Sequence, residues 1–420
     1  VYTDLFNFDG NHGASPSYPE ILAQGRDGNL YGTAPLGDEH GFGVVFRVTT
    51  SGTARILHDF SGGDGANPYS GLTLGTDGNF YGTTSNSHNG YGTIFRIAPN
   101  GVLTTLYFFN SATGQAQAPP IQAGDGNFYG TAGVKAYKIT PAGAFSQLGS
   151  IPGISNAPLL QAADGGLYGT TEAGGKAGTG TVFRIDLDGA VTIAYEFSAM
   201  TSTPRSPLIQ VSDGSFYGTT VLGGSYGDGV VFRLIPKQGI TALHNFPDPN
   251  YPNDGAESTA GLVEASDGNF YGVTTGGLTG PGVIFEVTAS GAYSVLYVFD
   301  STSGASPGST PTQHTNGKIY GLAASGGVDN QGVLYSFDLG LPPFVRLLPS
   351  SGRAGRTIEF LGEGLMGTSA VSFNGTTASF DVRSDTFLTA VVPAGATTGV
   401  VTVVTPEGTL SSNQSFRVTH

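Results

Sequence analysis

The sequence predicts an all-β chain, a seven-bladed β-propeller followed by an immunoglobulin-like β-sandwich, and three observations carry that expectation. First, a segment of the form Asp77-Gly78-Asn79-Phe80-Tyr81-Gly82-Thr83-Thr84, followed by Tyr91-Gly92-Thr93-Ile94-Phe95-Arg96-Ile97, recurs with small edits. Its seven copies are anchored at Asp27, Asp77, Asp125, Asp164, Asp213, Asp267 and Asn316. A period of that length is the mark of stacked or radially arrayed units. Second, each copy contains only short strand-like runs bounded by turn residues. Third, the period stops at Asp338-Leu339-Gly340-Leu341-Pro342-Pro343, and six or seven further short strands crowd into residues 344–419, as a small sandwich requires.

Each copy divides into four strands, A to D. In the second, A is Gly71 to Leu74, B is Asn79 to Thr84, C is Thr93 to Ile97 and D is Leu103 to Phe109. Asp77-Gly78 between A and B reads as a two-residue type I′ hairpin. Pro99-Asn100-Gly101 between C and D is equally tight, with counterparts at Ser51-Gly52, Asp188-Gly189 and Ser290-Gly291. Four short strands per copy fit a propeller blade. The seventh copy ends at Phe337 without a strand D, whereas Leu5-Phe6-Asn7-Phe8 matches the end of strand D elsewhere. The first strand is therefore expected to complete the last blade and remove an open edge. The domains so drawn are 1–340 and 344–420.

Gly 68 and Pro 24 make up about 22% of the 420 residues, just under the low-complexity range. They fall at fixed repeat positions, so they read as turns and close packing. Net charge is −14 with only 17 Lys+Arg, which argues against nucleic acid or an anionic membrane as partner. A neutral or cationic ligand and a structural cation are compatible with it, and no cofactor is predicted. No run of about 18 apolar residues is present, so no membrane insertion is expected. The absence of cysteine excludes disulfides, thiol nucleophiles and Cys-based zinc sites. With no Trp, Tyr 19 and Phe 26 must supply any aromatic platform. The opening at Val1, already strand-like, reads as a processed chain.

Residues 344–419 resemble an IPT/TIG domain, on Leu348-Pro349-Ser350-Ser351-Gly352, Gly362-Glu363-Gly364-Leu365, Val371-Ser372-Phe373-Asn374-Gly375, Val392-Pro393-Ala394-Gly395 and Thr405-Pro406-Glu407-Gly408. That resemblance implies a spacer or interaction module without catalytic residues. Residues 21–337 resemble the Gloeo-Verruco tandem repeat, on the Asp77 to Thr84 core and on Gly180-Thr181-Val182-Phe183-Arg184-Ile185. It implies an extracellular or cell-surface protein and brings no assigned activity.

Residues repeated in every copy read as scaffold. Tyr31, Tyr81, Tyr129, Tyr168, Tyr217, Tyr271 and Tyr320, each followed by Gly, are expected to pack against the neighbouring blade. Arg47, Arg96, Lys138, Arg184 and Arg233 read as surface pairs or stacking residues. His58 and His244 stand where other copies carry an aromatic in strand D, and read as aromatic replacements; His314, beside the last A–B turn, reads as structural.

Edited residues are the functional candidates. The A–B and C–D links are tight, so the longer D–A and B–C links share the opposite end, where a rigid scaffold carries variable loops. The third copy has lost most of its B–C loop, leaving a gap in that wall. On the long-loop face the candidates for acid or base chemistry are Glu172, Asp228, Glu257 and His40. The candidates for ligand contact are Asp38, Glu39, Tyr69, His88, Arg205 and Tyr226. Asp38-Glu39-His40 offers a carboxylate beside an imidazole, and equally a solvated turn. Glu172, Asp228 and Glu257 lie on separate blades, where a carboxylate pair across the mouth would serve glycoside cleavage. No zinc spacing, phosphate loop or nucleophile elbow stands out. Three functions remain open: a polysaccharide- or surface-ligand-binding protein, a polysaccharide hydrolase or lyase on the same face, and a passive scaffold.

Overall fold

The computed structural model describes residues 1–16, 21–37, 39–198, 201–250, 254–276 and 280–419, and these hold strands and turns without a helix. Among the described residues of 1–337 there are seven four-stranded antiparallel sheets. The second, Thr73–Leu74, Phe80–Thr84, Thr93–Ile97 and Leu103–Phe108, is typical. The seventh is assembled from both ends of the repeat region: Thr312–Gln313, Ile319–Ala323 and Val333–Phe337 are completed by Tyr2–Asn7, antiparallel to Val333–Phe337.

Two sequence expectations need correction. Strand A is two residues long, not four, because the backbone just before it bonds to the preceding sheet: Gly71 N–H donates to Thr33 Oγ1 and Leu72 N–H to the Ile21 carbonyl. The A–B link is not a two-residue type I′ turn. Leu74 faces Phe80, Gly75 N–H donates to the Asn79 carbonyl and Gly78 N–H to the Gly75 carbonyl. Residues 76–78 are thus a three-residue loop, a type I turn closed by one left-handed glycine, Gly78 at φ 80°. Only that position needs a positive φ. Asp77 is retained for its side chain, which accepts from Asn79 N–H and from the Tyr81 hydroxyl at 2.8 Å.

The tyrosines build the seams between sheets. Tyr31 stacks on Phe80, Tyr81 on Phe128, and Tyr217 on Phe270, at centroid distances of 4.0, 3.8 and 4.2 Å. Tyr168 lies 4.6 Å from Phe216, and Tyr129 packs with Leu167. Tyr271 joins Ile319, and Tyr320 of the seventh sheet joins Leu30 of the first. Each sheet therefore contacts the next, and the last contacts the first. Glycine after the tyrosine lets the sheet's own strand-C ring come close: a Cβ on Gly82 would lie 2.6 Å from Phe95 Cζ. A register shift interrupts C–D pairing in all seven sheets. Such bulges twist the outer strand and discourage edge-to-edge association.

Residues 345–418 have a separate core around Phe360, Phe373, Leu388, Val403 and Phe416, between two four-stranded sheets. This unit is not a free spacer. It rests on the A–B turns: Arg26 pairs with Glu359 at 2.5 Å, stacks over Phe387 and donates to the Thr76 carbonyl. Thr386 Oγ1 donates to the Arg26 carbonyl at 2.7 Å. Arg346, Arg356 and Arg417 donate to the carbonyls of Gln313, Gly124 and Ala163 in the seventh, third and fourth sheets. Replacing Arg26 with Ala strands the largely buried Glu359 carboxylate, a cost of about 2–3 kcal/mol. Faster proteolysis of the 338–343 connection in Arg26→Ala is the expected readout; an unchanged cleavage rate would mean that the pair does not hold the two parts together.

Candidate functional site

With the A–B end covered by the sandwich, the D–A and B–C loops form the other end. They meet in pairs, Ala66 with Asn86, Ala256 with Gly276 and Ala305 with Ser325. Five D–A loops place a non-glycine residue in the left-handed region: Ser15, Asn67, Thr203, Glu257 and Ser306. Each donates its N–H to the preceding sheet's B–C loop, at the carbonyls of Gln331, Phe42, Thr179, Asp228 and Pro281 respectively. Such backbone costs on the order of 1–3 kcal/mol each and persists only when its surroundings enforce it. The loops of this face are locked at their bases.

This geometry gives the candidate residues distinct places. Asp228 and Glu257 are adjacent through the backbone, since the Glu257 N–H donates to the Asp228 carbonyl at 3.1 Å. Both occupy a repeated scaffold slot, and what is edited is the side chain: Glu257 is exposed and Asp228 half-buried. Glu172 is held differently. Arg205 Nε lies 3.1 Å from its Oε2, and Asn156 Nδ2 donates to its Oε1. One acid candidate and one ligand candidate are thus brought together as an ion pair between the fourth and fifth sheets. Among the described residues no hydrogen bond or ion pair joins Glu172 to Asp228 or Glu257. Glu39 and His40 are exposed, and Asp38 lies outside the described residues. His88 turns its ring towards Phe108, 5.9 Å away. Tyr226 is 48% exposed, and Tyr69 is half-buried behind Asn67.

Several carboxyls whose protonation the fold shifts lie off this face. Burial, with Asp213 nearby, pushes Glu264 up to about 7, and burial, with Asp385 nearby, does the same for Glu363. Burial also raises Glu359 against the pull of Arg26. All three are at the A–B end. His314, buried there too, donates from Nε2 to the Gly28 carbonyl and accepts Asn316 N–H at Nδ1, so it is the neutral Nε2–H tautomer; burial pulls it down to about 4.

Two features were missed in the sequence. His58 and His244 do take the aromatic slot, His244 stacking on Tyr293 at 3.6 Å, but each also binds a carboxylate. His58 Nε2 meets Asp64 at 2.7 Å and His244 Nε2 meets Asp254 at 2.9 Å. The signal was present: the two copies with His in strand D are the two with Asp-Gly-Ala in the next loop. The second feature is a repeated glutamine in strand A, described below. Among the described residues no group of three or more His, Asp or Glu could hold a metal ion.

Comparison with known proteins now bears on this geometry. The model for the Gloeobacter/Verrucomicrobia repeat matches residues 1–150 and again 133–335. The chain belongs to that repeat family. In this member of the Gloeobacter/Verrucomicrobia repeat family, the IPT/TIG domain model matches residues 342–418. No curated protein matches the sequence. Among solved structures, a streptogramin B lyase is similar at TM-score 0.56 and 14% identity, over 80% of this chain and 96% of that one. Virginiamycin B lyase from Staphylococcus aureus is similar at 0.55 and 14%, over 80% and 98%. A fungal alcohol oxidase of the AA5 family, in complex with copper, is similar at 0.53 and 14%, over 100% and 99%. At that identity the likeness concerns the fold, which is all-β and propeller-like. Among the described residues of this repeat-family chain no helix is long and apolar enough to cross a membrane.

Proposed function

We propose that this chain is a secreted or surface-anchored bacterial binding protein that holds a polysaccharide on its long-loop face. In this reading residues 1–340 are a closed seven-bladed propeller and residues 344–420 an IPT/TIG domain. The observation that carries it is the division between the two ends. One end is covered by the sandwich, while the other offers edited polar and aromatic side chains on locked loop bases. Tyr226 and Tyr69 are the stacking surfaces, and Glu39, His40, His88 and Arg205 with Glu172 supply hydrogen bonds to hydroxyls. The net charge of −14 disfavours polyanions and suits a neutral or cationic glycan. The second reading, a hydrolase or lyase on the same face, is favoured by the adjacency of Asp228 and Glu257 at one seam.

A polysaccharide panel, scored both for retention and for new reducing or unsaturated ends, separates the readings. Retention without products, weakened about tenfold by Tyr226→Ala, is the expected result, since one stacked ring contributes roughly 1 kcal/mol or more. Products that vanish in Glu172→Gln or Asp228→Asn would establish the enzyme instead. Neither signal across the panel would sink both.

A further inference from the structure

Strand A carries glutamine in five sheets, at Gln24, Gln122, Gln161, Gln210 and Gln313. These side chains bridge neighbouring A–B turns. Gln122 Nε2 donates to the Gly126 carbonyl of its own turn, and its Oε1 accepts Thr76 N–H from the sheet before. Gln161 does the same with Gly165 and Gly124, Gln210 with Gly214 and Ala163, and Gln313 with Gly317 and Ser266. Gln24 accepts Thr315 N–H and donates to Thr315 Oγ1, so the seventh and first sheets are joined likewise. Each bridge needs one donor and one acceptor on the same planar group.

The sixth sheet has Glu264 in this slot; by repeat register its partners would be Ser212 N–H and the Gly268 carbonyl, and among the described residues the structure shows neither bond closed. A carboxylate only accepts, so it leaves the turn carbonyl unanswered. A carboxylic acid accepts and donates, and reproduces the amide. We propose that Glu264 is a protonation-dependent clasp between the fifth and sixth sheets, closed as the acid and open as the carboxylate. The groups facing it agree. From the fifth sheet these are Asp213, Arg233, which binds Asp213 at 2.6 Å, and Tyr217. In its own sheet the strand-C position that is Arg or Lys in five other copies is Glu286, so no cation stands there. The charge shown to act on Glu264 is the Asp213 carboxylate, and the cation beside Asp213 is already bound to it. At the other end of this seam Glu257 N–H meets the Asp228 carbonyl, so the clasp adjusts the seam that carries two edited carboxylates of the long-loop face.

The sign follows from the raised value of about 7. Between the ordinary glutamate range and about 7 the folded chain retains a proton that the unfolded chain has released. Stability from Glu264 is therefore complete at low pH and lost as pH rises through about 7. The test is thermal unfolding of the full chain from pH 4.5 to 8.5, with Glu264→Gln beside the wild type, and hydrogen exchange at the amides around Ser212. At pH 4.5 the two curves should coincide. At pH 8.5 the variant should melt higher, and exchange around Ser212 should be about tenfold slower than in wild type. That is well below the ceiling set by the full shift, because the side chain is partly solvated. Gln210→Glu should import the same pH dependence into the fourth seam, which keeps the test open if Glu264→Gln folds poorly. A wild-type-to-variant difference that is constant across pH, or a Gln210→Glu chain without new pH dependence, would overturn the clasp.

Discussion

Removal of residues 1–8 is expected to lower the melting temperature by on the order of 10 °C and to promote association. The segment contributes to two seams at once. Tyr2–Asn7 completes the seventh sheet, where Tyr2 stacks on Tyr297 of the sixth at 4.1 Å. Phe8 N–H donates to the Gly332 carbonyl, and its fully buried ring enters the core shared with the first sheet, 5.4 Å from Phe46. Loss of a buried Phe alone costs about 3–5 kcal/mol, before the ladder is counted. The deletion also bares the edge of Val333–Phe337, which in the intact chain is paired along its whole length.

The comparison that isolates the effect is Phe8→Ala with strand pairing intact. It should lose roughly half of what the deletion loses, by differential scanning calorimetry, and should associate no more than the intact chain does. A melting curve unchanged by the deletion would mean that the ring is not closed by this strand.

Much of this architecture was legible because repetition averages away local ambiguity. One Tyr-Gly pair says little, but seven at one position mark a seam, and the missing strand D pointed directly to Leu5-Phe6-Asn7-Phe8. What escaped was of two kinds. The covering of the A–B end by the sandwich depends on arginines that donate to backbone carbonyls at Gln313, Gly124 and Ala163. A carbonyl has no side-chain signature, and the Pro342-Pro343 connection reads as a separator. The type of A–B turn escaped because Asp77-Gly78 serves both a two-residue and a three-residue loop, and only pairing of Gly75 with Asn79 distinguishes them. The glutamine bridges were visible as a repeated letter with two edits, Leu74 and Glu264, on the end of the repeat where function was not sought. Of the candidate site, the sequence placed the loops on one face and could not say that Glu172 is neutralised by Arg205, because that pairing crosses a seam.

Asp254→Ala is expected to destabilise the chain by about 3–5 kcal/mol, whereas Asp64→Ala should cost about 1 kcal/mol or less. The chemistry is the same and the burial is not: His244 and Asp254 side chains are 4% and 1% exposed, while His58 and Asp64 are 23% and 26% exposed. Asp254 answers His244 Nε2 and also accepts the Asp248 N–H. The same repeat position is filled without charge in two other sheets. Ser303 Oγ accepts Asp300 N–H beside Tyr297, and Thr113 Oγ1 accepts Asn110 N–H beside Tyr107. Exchanging the buried pair for the neutral one, His244→Tyr with Asp254→Ser, keeps the loop acceptor and the ring that stacks on Tyr293. It also removes the cost of burying two polar partners, so the double variant should recover most of the loss, measured as a urea midpoint at constant m value. A double variant no more stable than Asp254→Ala would show that the histidine and aspartate are not interchangeable with tyrosine and serine. The pair would then have to be kept for something other than the packing of the fifth seam.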